Sequence, residues 1–171
     1  MKFFFKLLVS FFLLIGILQA EENIRFININ YVVNNSDAGI SLNKIIENKT
    51  KKIESDLKVL AKKIKDKKDK IISQKNILKE EEFNKLVKNY ENEVKVFNEL
   101  KNKKQADFDK FRINSKKKIL DLLNPIITDF LQNNSIKILL QKEKIIFGDD
   151  NLDITEKILK IFNDKHKKIK F

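Results

Sequence analysis

No cysteine occurs in the chain, so no disulfide framework can hold it together and stability must come from packing or assembly. Glycine is scarce, at positions 16, 39 and 148, which excludes a glycine-rich phosphate loop and with it nucleotide-driven work. The single histidine, His166, sits in a lysine-rich tail away from any carboxylate cluster, which argues against a metal site. Serine, histidine and aspartate are not spaced as a triad, and the acidic run Glu80 to Glu82 reads as a helix start, so neither catalysis nor a cofactor is expected. Proline occurs once, at Pro125, and the 85 residues from Ile40 to Asn124 contain neither glycine nor proline. Those two residues are the strongest local breakers of regular structure. Their absence leaves apolar spacing and polar caps to say where long helices turn.

What is present begins with a leader. Met1 to Ala20 has the plan of a signal peptide: Lys2 in the n-region, an apolar stretch from Leu7 to Leu18, and the small Ala20 before Glu21 and Glu22. The stretch is short of the roughly 20 residues of a membrane span, although Phe3 to Phe5 lengthen it and keep an uncleaved anchor as the alternative. Cleavage after Ala20 leaves an exported chain from Glu21 to Phe171, with no further segment apolar enough to span a bilayer.

The chain carries a formal net charge of +12. Between Asn43 and Lys118 there are 24 Lys/Arg and 13 Asp/Glu, a net +11, so the positive field belongs to the helical stretch. Nearly all of it is lysine, which suits diffuse attraction to an acidic protein, anionic lipid or nucleic acid better than bidentate recognition. A solvated lysine-rich helix face is the plainer reading of any one of these residues.

Ile27, Ile29 and Tyr31 alternate with Asn28 and Asn30 as a half-buried strand, and Asn34 to Asp37 form a turn in which Ser36 or Asp37 caps a helix. That helix places apolar residues at Leu42, Ile46, Ile53, Leu57, Leu60, Ile64 and Ile71, a three/four coiled-coil spacing with two missing teeth. The phase is lost at Ser73 to Asn76 and Glu80 to Glu82 restart it, which predicts a helical hairpin. The returning helix runs through Phe83, Val87, Tyr90, Val94, Phe97, Phe108 and Phe111, with Leu100 out of step and a kink expected at Pro125. At ~1.5 Å per residue the two helices reach ~48 Å and ~80 Å, too long to wrap a compact globule. Ile136, Ile138 and Leu140 then read as a second strand, Ile145 and Phe147 as a third, and Asp153 with Glu156 as a capping-box start for a last helix through Ile158, Leu159 and Phe162. The tail from His166 is expected to fray. Three short strands split between the chain ends make a marginal sheet, which predicts that several chains pool their strands.

The expected fold is therefore α+β, mostly α. Residues 21–40 and 133–171 contribute a small β body, and residues 41–132 form a projecting hairpin with its tip near 73–79. Ile27, Ile29, Ile138, Leu140, Ile145 and Phe147 are the expected oligomer core.

This order of elements resembles the Skp (OmpH-like) periplasmic chaperones. Ile27-Asn28-Ile29-Asn30 with Val32 to Gly39 is similar to that family's first strand and its turn ending in Ala-Gly. Leu78 to Phe83 is similar to the acidic restart of its second arm helix, and Asp153-Ile154-Thr155-Glu156-Lys157-Ile158-Leu159 matches its C-terminal segment. The chain departs in having Asn134-Ser135 where the family has Gly-Tyr, and Asp37 where a proline often precedes Ala-Gly. The resemblance implies a homotrimer whose strands close a small β-barrel body and whose arms hold unfolded outer-membrane proteins in the periplasm without ATP. Lys62, Lys63, Lys67, Lys68 and Lys70 are then the candidate client contacts, whereas Phe83, Tyr90 and Phe97 read as hairpin core. The rival readings are a basic coiled-coil envelope protein that binds anionic polymers such as lipopolysaccharide or anionic lipid, and a purely structural coiled coil. Export disfavours nucleic acid as the natural partner.

Overall fold

The computed structural model describes residues 24–171, and the leader reading at Met1 to Ala20 lies outside the described residues. Helix dominates it, in the order β1 (Ile24–Ile27), α1 (Ile29–Asn35), α2 (Asp37–Gln74), α3 (Glu80–Asn133), β2 (Ile138–Gln141) and α4 (Thr155–Lys165), with short 3-10 turns at Lys142–Lys144 and Asp150–Leu152. Helices α2 and α3 form a hairpin whose 38 and 54 residues span ~57 Å and ~81 Å at 1.5 Å per residue.

The first strand ends four residues earlier than the alternation suggests. Asn28 is an N-cap: its Oδ1 accepts from the Tyr31 amide at 2.7 Å, and the chain turns into α1. Ile29 and Tyr31 are thus helical, and residues 29–35 form a helix where a continued strand and turn were expected. One residue later Ser36 starts α2. Its buried hydroxyl accepts from the Gly39 amide at 3.1 Å and donates to the Val33 carbonyl at 3.1 Å, so one side chain ends α1 and caps α2. A Cβ on Gly39 would lie 1.8 Å from the Val33 oxygen, so this tight corner requires glycine. The Ala-Gly pair therefore has a physical cause: Ala38 is buried and Gly39 lets the two helices touch.

Strands β1 and β2 pair in parallel, with Ile24 opposite Ile138 and Ile27 opposite Gln141. This two-stranded sheet lacks the expected third strand: residues 145–147 are irregular, and an isolated bridge joins Phe26 to Asp153. Among the described residues the sheet holds β1 and β2 alone, and Ile146 and Phe147 stand in solvent.

The core forms where α1, α4 and the base of the hairpin meet. Val32, Ile119, Leu123, Ile158 and Phe162 have no exposed surface, and burial of such side chains contributes about 1.5–3 kcal/mol each. Leu123, Ile126 and Ile127 are buried on either side of Pro125, and α3 continues through the proline as one helix to Asn133. It ends in a Schellman motif, with Ile136 N–H donating to the Leu131 carbonyl and Ser135 N–H to that of Gln132. Ser135 is left-handed there, at φ 53°, a conformation that favours glycine.

Hydrogen bonds to backbone amides tie the two segments of the body together. The Asn28 amide donates to Thr155 Oγ1 at 2.9 Å, the Ile154 amide to the Phe26 carbonyl at 3.0 Å, and the Asp37 amide to Asn163 Oδ1 at 3.0 Å. The expected capping box does not form: the N-cap is Ile154, without a side-chain cap bond, while Asp153 accepts from the Thr155 amide at 2.8 Å and its own amide donates to the Asp150 carbonyl. Lys142 Nζ reaches Asp153 at 2.5 Å and lies over the Phe26 ring. Burial raises the Asp153 carboxyl, yet the bonds from Lys142 and Thr155 outweigh it and hold the group below its usual value. The tail does not fray freely: Ile169 and Phe171 pack on the core, and Lys118 Nζ donates to the Lys170 carbonyl at 2.7 Å.

Candidate functional site

The arm is held by a seam of half-buried side chains, so its two helices share little dry core. On α2 the seam runs Leu42, Ile46, Thr50, Ile53, Leu57, Leu60, Ile64, Lys67 and Ile71, in steps of three and four without a gap. The two missing teeth are polar residues. Thr50 returns its hydroxyl to the Ile46 carbonyl at 3.0 Å, and Lys67 crosses to Glu93 on α3. On α3 Leu100 is in step after all: the seam passes Phe97, Leu100, Lys104, Phe108, Phe111 and the buried Ser115. Lys104 crosses to Asp56 at 3.5 Å. Phe83, Val87, Tyr90, Val94 and Phe97 are all half-buried on this seam.

Beside the Lys67–Glu93 pair the two helices line a groove of about 450 Å³. Leu60 and Ile64 form its α2 wall, Val96, Phe97 and Leu100 its α3 wall, and Lys63 and Lys67 stand beside it. Val96 is 62% exposed, an apolar side chain on the rim of this groove.

The five candidate lysines lie along α2 toward the tip. Lys62, Lys63, Lys68 and Lys70 are exposed, while Lys67 is half-buried and already paired with Glu93. Only Lys63 and Lys67 border the groove. Nearer the body the Lys51 hydrogen bond holds the Glu47 carboxyl below its usual value and is itself the cause of a raised Lys51.

A second candidate surface is the open edge of the sheet. Ile138 and Leu140 are 49% and 43% exposed, and Ile24, Ile146 and Phe147 are also uncovered. Leu139, between them, faces the core. Ile27, expected in an interchain core, is instead buried within its own chain, with Ile29 packed against that cluster, and Ile145 is half-buried. Among the described residues no helix is long and apolar enough to cross a membrane.

The family model for outer membrane protein (OmpH-like) matches residues 23–162. The chain belongs to the OmpH-like family. A crystal structure of a candidate outer membrane chaperone (OmpH-like) from Caulobacter crescentus CB15 is similar to it, with TM-score 0.81 and 12% identity over 89% of this chain and 90% of that one. At that identity the likeness concerns the fold. Among curated proteins none matches the chain.

Within this OmpH-like chain, reasoning from the sequence missed Thr50, Lys67 and Lys104 as seam residues because it counted only apolar teeth. An unbroken three/four register across polar residues was the available signal. Val96 also went unmarked. It lies next to Phe97 on a lysine-rich helix, one residue off the apolar phase, which places it on the rim of the seam.

Proposed function

We propose that the protein is an ATP-independent periplasmic holdase, which keeps unfolded outer-membrane β-barrel proteins from aggregating between basic helical arms. The observation that carries this reading is a hairpin, most of whose length lies beyond the body's core, borne by a member of the OmpH-like family. A half-buried seam lets such an arm flex at low cost, because few dry contacts must be broken to bend it. The net +11 between Asn43 and Lys118 draws acidic segments toward the arms, and the exposed Lys62, Lys63, Lys68 and Lys70 are the proposed first contacts near the tip.

The body completes the reading. Ile24, Ile138, Leu140, Ile146 and Phe147 make an apolar surface beside unpaired strand edges, the kind of edge that proteins cover or pair. In the proposed homotrimer three such surfaces close a small β-barrel, with Ile145 to Phe147 completing the pairing, and the three arms project from it.

The test is light scattering as a urea-unfolded outer-membrane β-barrel is diluted into buffer with or without the mature protein. Suppression near one oligomer per client, persisting at moderate salt, supports holding with an apolar contribution. Unchanged aggregation, or protection lost when charges are screened, moves the reading to a polyanion-binding envelope protein.

A further inference from the structure

We infer that the mid-arm groove is a docking site for one apolar side chain flanked by a carboxylate on an extended segment of another, unfolded polypeptide. This rests on the holding function proposed above and adds to it a place and a preference. Three observations carry it. The groove lies over Leu60 and Ile64 on α2 and Phe97 and Leu100 on α3, with the Lys67–Glu93 pair on its lining, so its floor is apolar and the charge of that pair is already satisfied. Its rim carries Val96, whose apolar surface faces solvent at 62% and gains from being covered.

Charge then selects the occupant. Of the two lysines beside the groove, Lys67 is neutralised by Glu93. Lys63 makes no ion pair among the described residues and is exposed, leaving one positive charge next to an apolar recess. An apolar side chain entering between Leu60, Ile64, Val96 and Leu100 brings its flanking residue to the rim, where a carboxylate meets Lys63. A flanking lysine meets repulsion there and across the basic arm. A second copy of the chain is disfavoured by the same sum, because two arms carrying like charge repel.

Methyl NMR of the full mature protein at moderate salt tests this, with a short peptide of alternating aspartate and tyrosine and its twin carrying lysine for every aspartate. The acidic peptide is expected to shift the methyls of Leu60, Ile64, Val96 and Leu100 and to bind about two- to fivefold tighter per rim ion pair than the twin. Val96→Ser is expected to weaken it about threefold or more, and Lys63→Gln to remove most of the preference for acid. Val96 is on the surface, so its variant folds, and Val59→Ser, on an exposed part of the same arm, serves as control. Shifts spread evenly along the arm, equal binding of both peptides, or groove shifts that follow protein concentration without peptide would each overturn the site. The aggregation assay separates the two readings: suppression without groove shifts leaves holding intact and removes the site. Groove shifts without suppression keep the site and remove holding.

Discussion

Replacing Gly39 with alanine is the sharpest test of how the body is built. The new Cβ would lie 1.8 Å from the Val33 carbonyl oxygen, 2.9 Å from its carbon and 3.2 Å from the Asn34 carbon. All three are backbone atoms of the last turn of α1, so no side-chain rotation relieves the clash, and α1 must withdraw from α2. That withdrawal strains the Ser36 bonds to Val33 and Gly39 and loosens Val32 and Val33, both buried. Overpacking of this kind costs about 1–3 kcal/mol, and loss of an N-cap about 1 kcal/mol more. Against this, alanine within a helix gains about 1 kcal/mol over glycine. The net expectation is a destabilisation of about 1–3 kcal/mol. The chain has no tryptophan and two tyrosines, so in a Tyr90→Phe background the fluorescence of Tyr31 on α1 reports the body alone. Urea midpoints are compared at fixed protein concentration, with Ser41→Ala, exposed on the same helix, showing the effect of propensity without the clash. A Gly39→Ala midpoint equal to or above the parent's would refute the close approach of α1 and α2.

Three further outcomes are expected. Ser135→Gly relieves a left-handed serine in the C-terminal cap of α3 and should raise the urea midpoint by the equivalent of about 0.5–1 kcal/mol, a sign opposite to that at Gly39. Lys67→Leu places an apolar tooth in the seam and should stabilise the outer arm by about 1 kcal/mol, read as slower amide exchange near Ile71, because Glu93 on the other side stays half in water. Asp153 has a depressed folded value, so its stabilisation is complete above the ordinary aspartate value of 3.8 and is lost as pH falls below it through the folded value. A urea midpoint that drops across that acid range in the parent but less in Asp153→Asn is the expected result, and parallel curves would refute the role of the Lys142 pair.

The long helices were legible because nothing in them breaks helix and because their apolar teeth keep phase from Leu42 to Ile71 and from Phe83 to Phe111. The entry to the body was not. Ile27 to Tyr31 alternates perfectly, but Asn28 offers its side chain to the Tyr31 amide, and a local cap overrides a period of two over so short a run. Ile145 and Phe147 carry strand character, yet among the described residues the sheet holds β1 and β2 alone, and an alternation of two apolar residues is too short to set a strand by itself. Within the candidate site the same limit recurs: lysine reads as solvated from sequence, while Lys67 and Lys104 reach across the hairpin because their long stems lie along apolar neighbours and their charges meet Glu93 and Asp56.

The parallel pairing of Ile24 with Ile138 makes the whole hairpin a single crossover connection. As a flexible loop it would make that pairing slow and entropically costly, since closure must precede the contact. Folded, it is a clip whose two legs end side by side at the body, and it delivers β1 and β2 to each other already close. The order of assembly follows: the helices zip from local contacts first, and the body can close only afterwards. A chain that emerges amino end first must therefore keep β1 unpaired until β2, at Ile138–Gln141, has emerged. Lengthening or shortening the arm by matched turns changes neither strand, so reach is free to vary while the body keeps its register.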